Sequence, residues 1–246
     1  MRALLLFSMI SAGLVACNRS FTIYDFEDTQ QKFTDSYTGQ DMGIEEEILP
    51  YRTELEASMN KLIVLAHGDL PKAQPSSPLG NLLADATREM ASTYISEDIN
   101  IGIMNYGGIR VPSISKGNVS IGNVYEVMPF DNYLVVMRLK GSKLKEVFDA
   151  IAGGGGWPVS GVSFTIKNGK ASQVMINGAA LELEKEYSVA ISDYLANGGD
   201  HLNMLKGLEQ TNTNVLLRDA FMDYFRRVHE YGDELQVNDE IRISNE

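Results

Sequence analysis

Cysteine is nearly absent from this chain: Cys17 is the only one in 246 residues. One thiol cannot form an intrachain disulfide, so packing and hydrogen bonds must hold the fold. Histidine is scarce too, limited to His67, His201 and His229. His67-Gly68-Asp69 lacks metal-ligand spacing and reads as a strand-end turn. His201 could line a pocket beside Asp200, and His229 reads as the solvent-facing end of a helix. Three histidines are too few for a two-metal hydrolytic site, which needs several His and Asp ligands. No Gly-x-Ser-x-Gly and no Ser-His-Asp or Cys-His arrangement is visible. Gly153 to Gly156 lacks the Gly-Lys-Ser/Thr of a Walker A loop and reads as a plain loop. Positive charge is also short, leaving a formal net charge of -12. Such a chain repels phosphate backbones, which disfavours general nucleic-acid binding. A small nucleotide stays possible, because a few local cations dominate within a Debye length of roughly 8 Å.

What is present is an ordinary globular composition, 44% hydrophobic and 22% charged. Arg2 and the apolar run Ala3 to Val15 read as a signal peptide whose hydrophobic stretch, about 13 residues, is too short to span ~30 Å of bilayer. The run ends in Leu14-Val15-Ala16-Cys17, which resembles the bacterial lipobox. The alternative is a short secretory signal with an incidental cysteine. The lipobox implies removal of residues 1–16, lipidation of Cys17 and firm anchoring at the cell envelope, on its periplasmic or surface face. Residues 17–43 are polar and aperiodic, as a tether would be, and the folded domain is expected over 44–246.

Periodicity predicts a helix from Glu45 with Ile48, Tyr51, Leu55 and Met59 on one face, then a buried strand over Leu62 to Ala66. Ser77-Pro78 marks a helix start carrying Leu79, Leu82, Leu83, Ala86 and Met90. Further strands are expected at Ile99 to Met104, Tyr133 to Leu139 and Tyr187 to Ile191. A helix should follow Gly141-Ser142, and a hairpin should turn at Asn168-Gly169. Asn214 to Val228 reads as the last long helix. Strands and helices mix without a βαβ rhythm, so the fold class is α+β, a mixed β-sheet with packed helices.

Three segments carry the chemistry: Asn105-Tyr106-Gly107-Gly108-Ile109-Arg110, Met128-Pro129-Phe130-Asp131-Asn132 and Asp193-Tyr194-Leu195-Ala196-Asn197-Gly198-Gly199-Asp200. Leu79 to Asp85 and Val159 to Val162 support them. In this order and spacing the set resembles the C-terminal domain of the 5'-nucleotidase and UDP-sugar hydrolase family, over roughly residues 45 to 207. The resemblance implies a substrate-binding domain in which Phe130 and Tyr194 sandwich the base, Asp200 holds the ribose and Asn105 contacts the base.

The residues themselves are compatible with this. Aromatic rings beside turns can stack on a base, each contributing ~1–3 kcal/mol, although both rings could equally be core residues. A carboxylate at Asp200 can accept from both ribose hydroxyls, or can close an Asx-turn. Asn105 can donate and accept, to a base edge or to the loop backbone. Gly107 and Gly108 shape the turn that carries Arg110. The planar fork of Arg110 suits phosphate, or a surface ion pair of little worth. Many family members have another phosphate-holding arginine near the stretch matching Ser76 to Asn81; here it is missing, and phosphate affinity is expected to be weaker. Arg88 falls too far along the helix to replace it.

The family's hydrolysis belongs to a metallophosphoesterase domain, and the roughly 27 residues between Cys17 and Glu45 leave no room for one. No catalytic residue, metal ligand or cofactor is therefore expected in this chain, and divalent metals are expected only in a partner. Two functions follow: the nucleotide-binding subunit of a split 5'-nucleotidase acting in nucleotide catabolism, with a separate metallophosphoesterase chain, or a non-catalytic surface lipoprotein that captures nucleosides or nucleotides.

Overall fold

Residues 42–246 are described by a computed structural model, and Ile48–Glu246 form one unit within it. Cys17, the expected signal peptide and nearly all of the tether lie outside the described residues. Helix α1, Met42–Met59, runs into strand β1, Leu62–Ala66. Strand β2, Leu70–Pro71, precedes helix α2, Pro78–Ile95, and strand β3, Ile101–Ile103. Short strands β4, Ser113–Ile114, and β5, Gly117–Ser120, lead to helix α3, Ile121–Val127. Strand β6, Tyr133–Lys140, is followed by helix α4, Gly141–Gly153. Then come β7, Val159–Ser160, β8, Val162–Lys167, β9, Lys170–Ile176, and β10, Ala179–Ala180. Strand β11, Glu186–Ser192, feeds the short helix α5, Asp193–Ala196. Strand β12, Thr211–Leu216, helix α6, Leu217–Glu230, and strand β13, Ile243–Asn245, complete the order.

Most of the expected punctuation is obeyed. The Ser77 hydroxyl caps α2 by accepting from the Gly80 amide at 3.2 Å. Asn168 and Gly169 both have positive φ, as a tight two-residue hairpin turn requires. One expectation fails, at the start of the last helix. Asn214 to Leu216 belong to β12, because that stretch pairs antiparallel with the start of β6; the last helix begins at Leu217. Helix α1 forms as expected, with Ile48, Tyr51 and Leu55 of its apolar stripe 37%, 72% and 57% exposed. Helical spacing marks a face but does not supply a partner for it.

The central five-stranded sheet has the order β12-β6-β11-β3-β7, and a second sheet has β10-β9-β8-β13. Period-2 alternation divides the central strands between two cores. Leu134, Val136 and Ala190 enter one core with residues of α2 and α6. Val135, Met137, Val189 and Ile191 enter the other with α4 and the second sheet.

Register brings three chain segments to one end of the sheet. The first residues of β6 lie beside the last of β11, with Leu134 opposite Ser192. Strand β3 runs parallel to β11, so its outgoing end lies there as well. The Asp193 carboxylate joins two of these segments: its Oδ1 accepts from the Tyr133 amide at 3.0 Å and from the Tyr194 amide at 2.8 Å.

Behind the sheet, Arg242 donates from Nη1 and Nη2 to the two oxygens of Asp85, both at 2.8 Å, and from Nη1 to the Val159 carbonyl at 2.8 Å. The Ser160 hydroxyl also donates to Asp85. The Asn81 amide donates to the Asn238 and Glu240 carbonyls. The Leu79–Asp85 and Val159–Val162 motifs thus fasten the 238–242 segment to helix α2.

Arg242→Met should lower stability by about 3–5 kcal/mol in urea unfolding, since it strands the largely buried Asp85 charge. Asp193→Ala should cost only about 1 kcal/mol. Native-state hydrogen exchange should show the Tyr133 and Tyr194 amides opening about fivefold faster, while core strands stay protected.

Candidate functional site

At the end of the sheet where the three segments meet is a cavity of about 350 Å³. Asn105, Gly107, Gly108, Arg110, Phe130, Asn132, Tyr194 and Asp200 line it. All seven residues expected at a binding site are on its wall, and Asn132 joins them.

Phe130 and Tyr194 are 39% and 44% exposed, so neither ring is a core residue. They border one cavity without forming a ring–ring contact with each other. The Phe130 loop is anchored from α6. Arg218 donates from Nη1 to the Phe130 carbonyl at 3.4 Å and from Nη2 to Asp131 at 2.8 Å. Its guanidinium lies 4.3 Å from the Tyr125 ring centroid, within cation–π range. The Leu217 amide adds a bond to the Asn132 carbonyl at 2.8 Å.

Asp200 is the hub of the opposite wall. The Tyr194 hydroxyl donates to its Oδ1 at 2.8 Å, and the Asn105 amide donates to its Oδ2 at 2.6 Å. The Asp200 backbone N–H donates back to the Tyr194 oxygen at 3.3 Å. An ionised carboxylate has about four acceptor sites, so each oxygen keeps capacity for another donor. The bond to Asp200, then burial, holds the Tyr194 phenol above its usual range, so it remains a neutral donor around neutrality. Asp200 itself adopts φ 45°, and His201 follows at φ 70°. Such backbone is uncommon outside glycine and clusters at functional sites.

Two glycines make room for this arrangement. A Cβ on Gly199 would come within 2.5 Å of the Tyr194 ring, and one on Gly108 within 2.5 Å of the Asn105 side-chain oxygen. Close approach, rather than flexibility alone, explains glycine at both places.

Arg110 forms no surface ion pair among the described residues. It donates to the Gly107 carbonyl at 3.2 Å, and its guanidinium carbon lies 5.9 Å from the Phe130 ring centroid. A second cation flanks the same turn: Lys72 donates to the Ile109 carbonyl at 2.7 Å and sits 3.8 Å from the Tyr106 ring centroid. Burial, then the Arg110 charge, pushes the Lys72 ammonium below the usual lysine range.

Other residues fall elsewhere. His201 is exposed and off the cavity wall, His67 pairs with Glu234 at 3.0 Å, and His229 is exposed in the last turn of α6. Arg88 lines a different cavity with Asp85, Ser160 and Arg242. Among the described residues, no three His, Cys, Asp or Glu side chains group closely enough to hold a metal ion. Asn132, Asp193, Arg218 and Lys72 escaped attention in the sequence. Asn132 and Asp193 lay inside the motifs, whereas Arg218 and Lys72 carry no local signal, since their hydrogen-bond partners lie 37 to 88 residues away.

Comparison with known proteins bears on the family and the fold. Residues 61–207 match the family described as 5'-nucleotidase, C-terminal domain. A 5'-nucleotidase of Vibrio vulnificus is 28% identical over 209 residues, 81% of this chain and 36% of that protein. The chain thus spans about a third of the length of such relatives. The crystal structure of a 5'-nucleotidase precursor from Thermus thermophilus superposes with a TM-score of 0.69 at 30% identity, covering 84% of this chain and 43% of that one. The NAD nucleotidase of Haemophilus influenzae, at 19% identity and a TM-score of 0.60 over 84% of this chain and 42% of that one, shares the fold. By sequence match and by fold, the chain belongs to the 5'-nucleotidase C-terminal domain family.

Proposed function

We propose that this chain is the nucleotide- or nucleoside-binding part of a 5'-nucleotidase-type phosphohydrolase. In this proposal it works with a separate metallophosphoesterase chain in nucleotide catabolism and is held at the bacterial cell envelope by a lipid on Cys17. The observation that supports it most is the convergence of Phe130, Tyr194, Asp200, Asn105 and Arg110 around one cavity. The two rings border a slot where a flat base can stack. Asp200, preset by Tyr194 and Asn105, offers its remaining lone pairs to the ribose hydroxyls. Asn105 gives one N–H to Asp200 and keeps its second N–H and its oxygen for a base edge, while stacking tolerates different bases. Arg110 stands at the turn where a 5'-phosphate would leave the cavity.

Hydrolysis of a phosphoester would draw on divalent metals to polarise the phosphoryl group and activate water. In this proposal the residues around the cavity bind and orient the ligand, and the metals belong to the partner chain. Among the described residues no helix is long and apolar enough to cross a membrane.

Calorimetry of the purified chain with adenosine, AMP and UDP-glucose tests the proposal. Wild type should bind at least one of them. Phe130→Ala should weaken that binding about 5- to 150-fold, the equivalent of ~1–3 kcal/mol for one stacked ring. Undiminished binding by the variant, or no binding by wild type, would overturn it.

A further inference from the structure

The two rings that border the cavity are held in different ways. The Tyr194 ring sits against Gly199, and its hydroxyl is bonded to Asp200. The Phe130 ring stands on a barer loop. Pro129, Phe130 and Asp131 are all exposed, although Met128 before them and Leu134 after them are buried. An exposed loop with little apolar packing is readily displaced. Hydrogen bonds from the start of α6 tie it down. The Leu217 amide donates to the Asn132 carbonyl, and the Arg218 fork donates to the Phe130 carbonyl and the Asp131 carboxylate. Arg218 itself is 7% exposed and lies off the cavity wall. Its guanidinium rests over the Tyr125 ring of α3, so two helices hold the fork in place.

Stability alone does not account for this arginine. Asp131, its one carboxylate partner among the described residues, has a side chain 78% exposed. An ion pair that water reaches so freely contributes little. The Arg218 Nε is buried without a hydrogen-bond partner, which counts against the folded state. What the arrangement does secure is the place of the loop. A planar fork set on a carbonyl and a carboxylate together fixes direction as well as distance. We propose that Arg218 is a positioning residue for the Phe130 ring, and that it sets ligand affinity from behind the loop without touching the ligand. The ring is then preset for stacking, so less conformational freedom is lost on binding. This deepens the nucleotide-binding proposal above and rests on it. Arg218 lies beyond residues 61–207, so the family match gives it no role.

The test is a double-mutant cycle in the full chain, comparing wild type, Arg218→Met, Phe130→Ala and the double variant. Affinity is read by calorimetry with whichever of adenosine, AMP and UDP-glucose wild type binds. Methionine keeps an apolar stem against Tyr125, and the exposed Asp131 stays solvated, so Arg218→Met should remain folded in urea unfolding. It should weaken binding roughly tenfold when Phe130 is present, and by less than about twofold once Phe130 is alanine, because the ring it positions is gone. Asp131→Asn, at the exposed end of the pair, should show the same pattern at a smaller size. The fluorine NMR signal of 4-fluorophenylalanine placed at position 130 should change shift or width in ligand-free Arg218→Met. Equal losses in both backgrounds would mean general damage to the domain and overturn the inference, as would an unchanged fluorine signal. Undiminished binding by Arg218→Met overturns it too, while leaving the nucleotide-binding proposal intact. If wild type binds none of the three ligands, both proposals fall.

Discussion

The pairing of β6, β11 and β3 at one end of the central sheet is the constraint on which everything else depends. Antiparallel pairing sets the beginning of β6 beside the finish of β11, and parallel pairing sets the finish of β3 next to that. The three segments that bear aromatic, acidic and basic side chains lie far apart in sequence, 95 residues between Asn105 and Asp200, yet leave the sheet together. A one-residue slip in either pairing would turn the strand's side chains to the opposite core and shift the loops with them. The two cores fill opposite faces of that sheet, so the register is enforced from both sides.

The loops are then tied to each other rather than left to the strands alone. Asp193 links the start of β6 to α5, Arg218 fixes the Phe130 loop from a third direction, and Asp200 gathers Tyr194 and Asn105. A site assembled before its ligand arrives loses less conformational freedom on binding. The positive φ at Asp200 and His201 fits the same picture, because a strained backbone persists only where its surroundings over-determine it.

Much of this was legible in the sequence because the site is written in short motifs. Glycine pairs announced the turns, and Phe130, Tyr194, Asp200 and Arg110 announced the chemistry; all of them reach one cavity. Local signals also placed α2, the Asn168-Gly169 hairpin and the long central strands. The failures involve information that sequence spacing does not contain. The start of the last helix was misplaced because pairing with β6 captures Asn214 to Leu216 as strand. Asn105 lines the cavity as expected, but its bond to Asp200, 95 residues away, is a contact that spacing does not reveal. Asp85 and Ser160 looked like parts of a functional motif, and their structural purpose emerges only once Arg242 is placed beside them.

That last contact has a consequence for how the protein is made. Asp85 and Arg242 are 157 positions apart, and synthesis delivers residues one at a time. For most of translation, helix α2 carries an acid whose counter-charge does not yet exist. Long-range closure of this kind slows folding and leaves the nascent chain incompletely packed. The cavity end of the sheet is encoded by residues 105 to 200, whereas the clasp behind it arrives about 40 residues later. The clasp on helix α2 therefore closes only after the loops around the cavity have been synthesised.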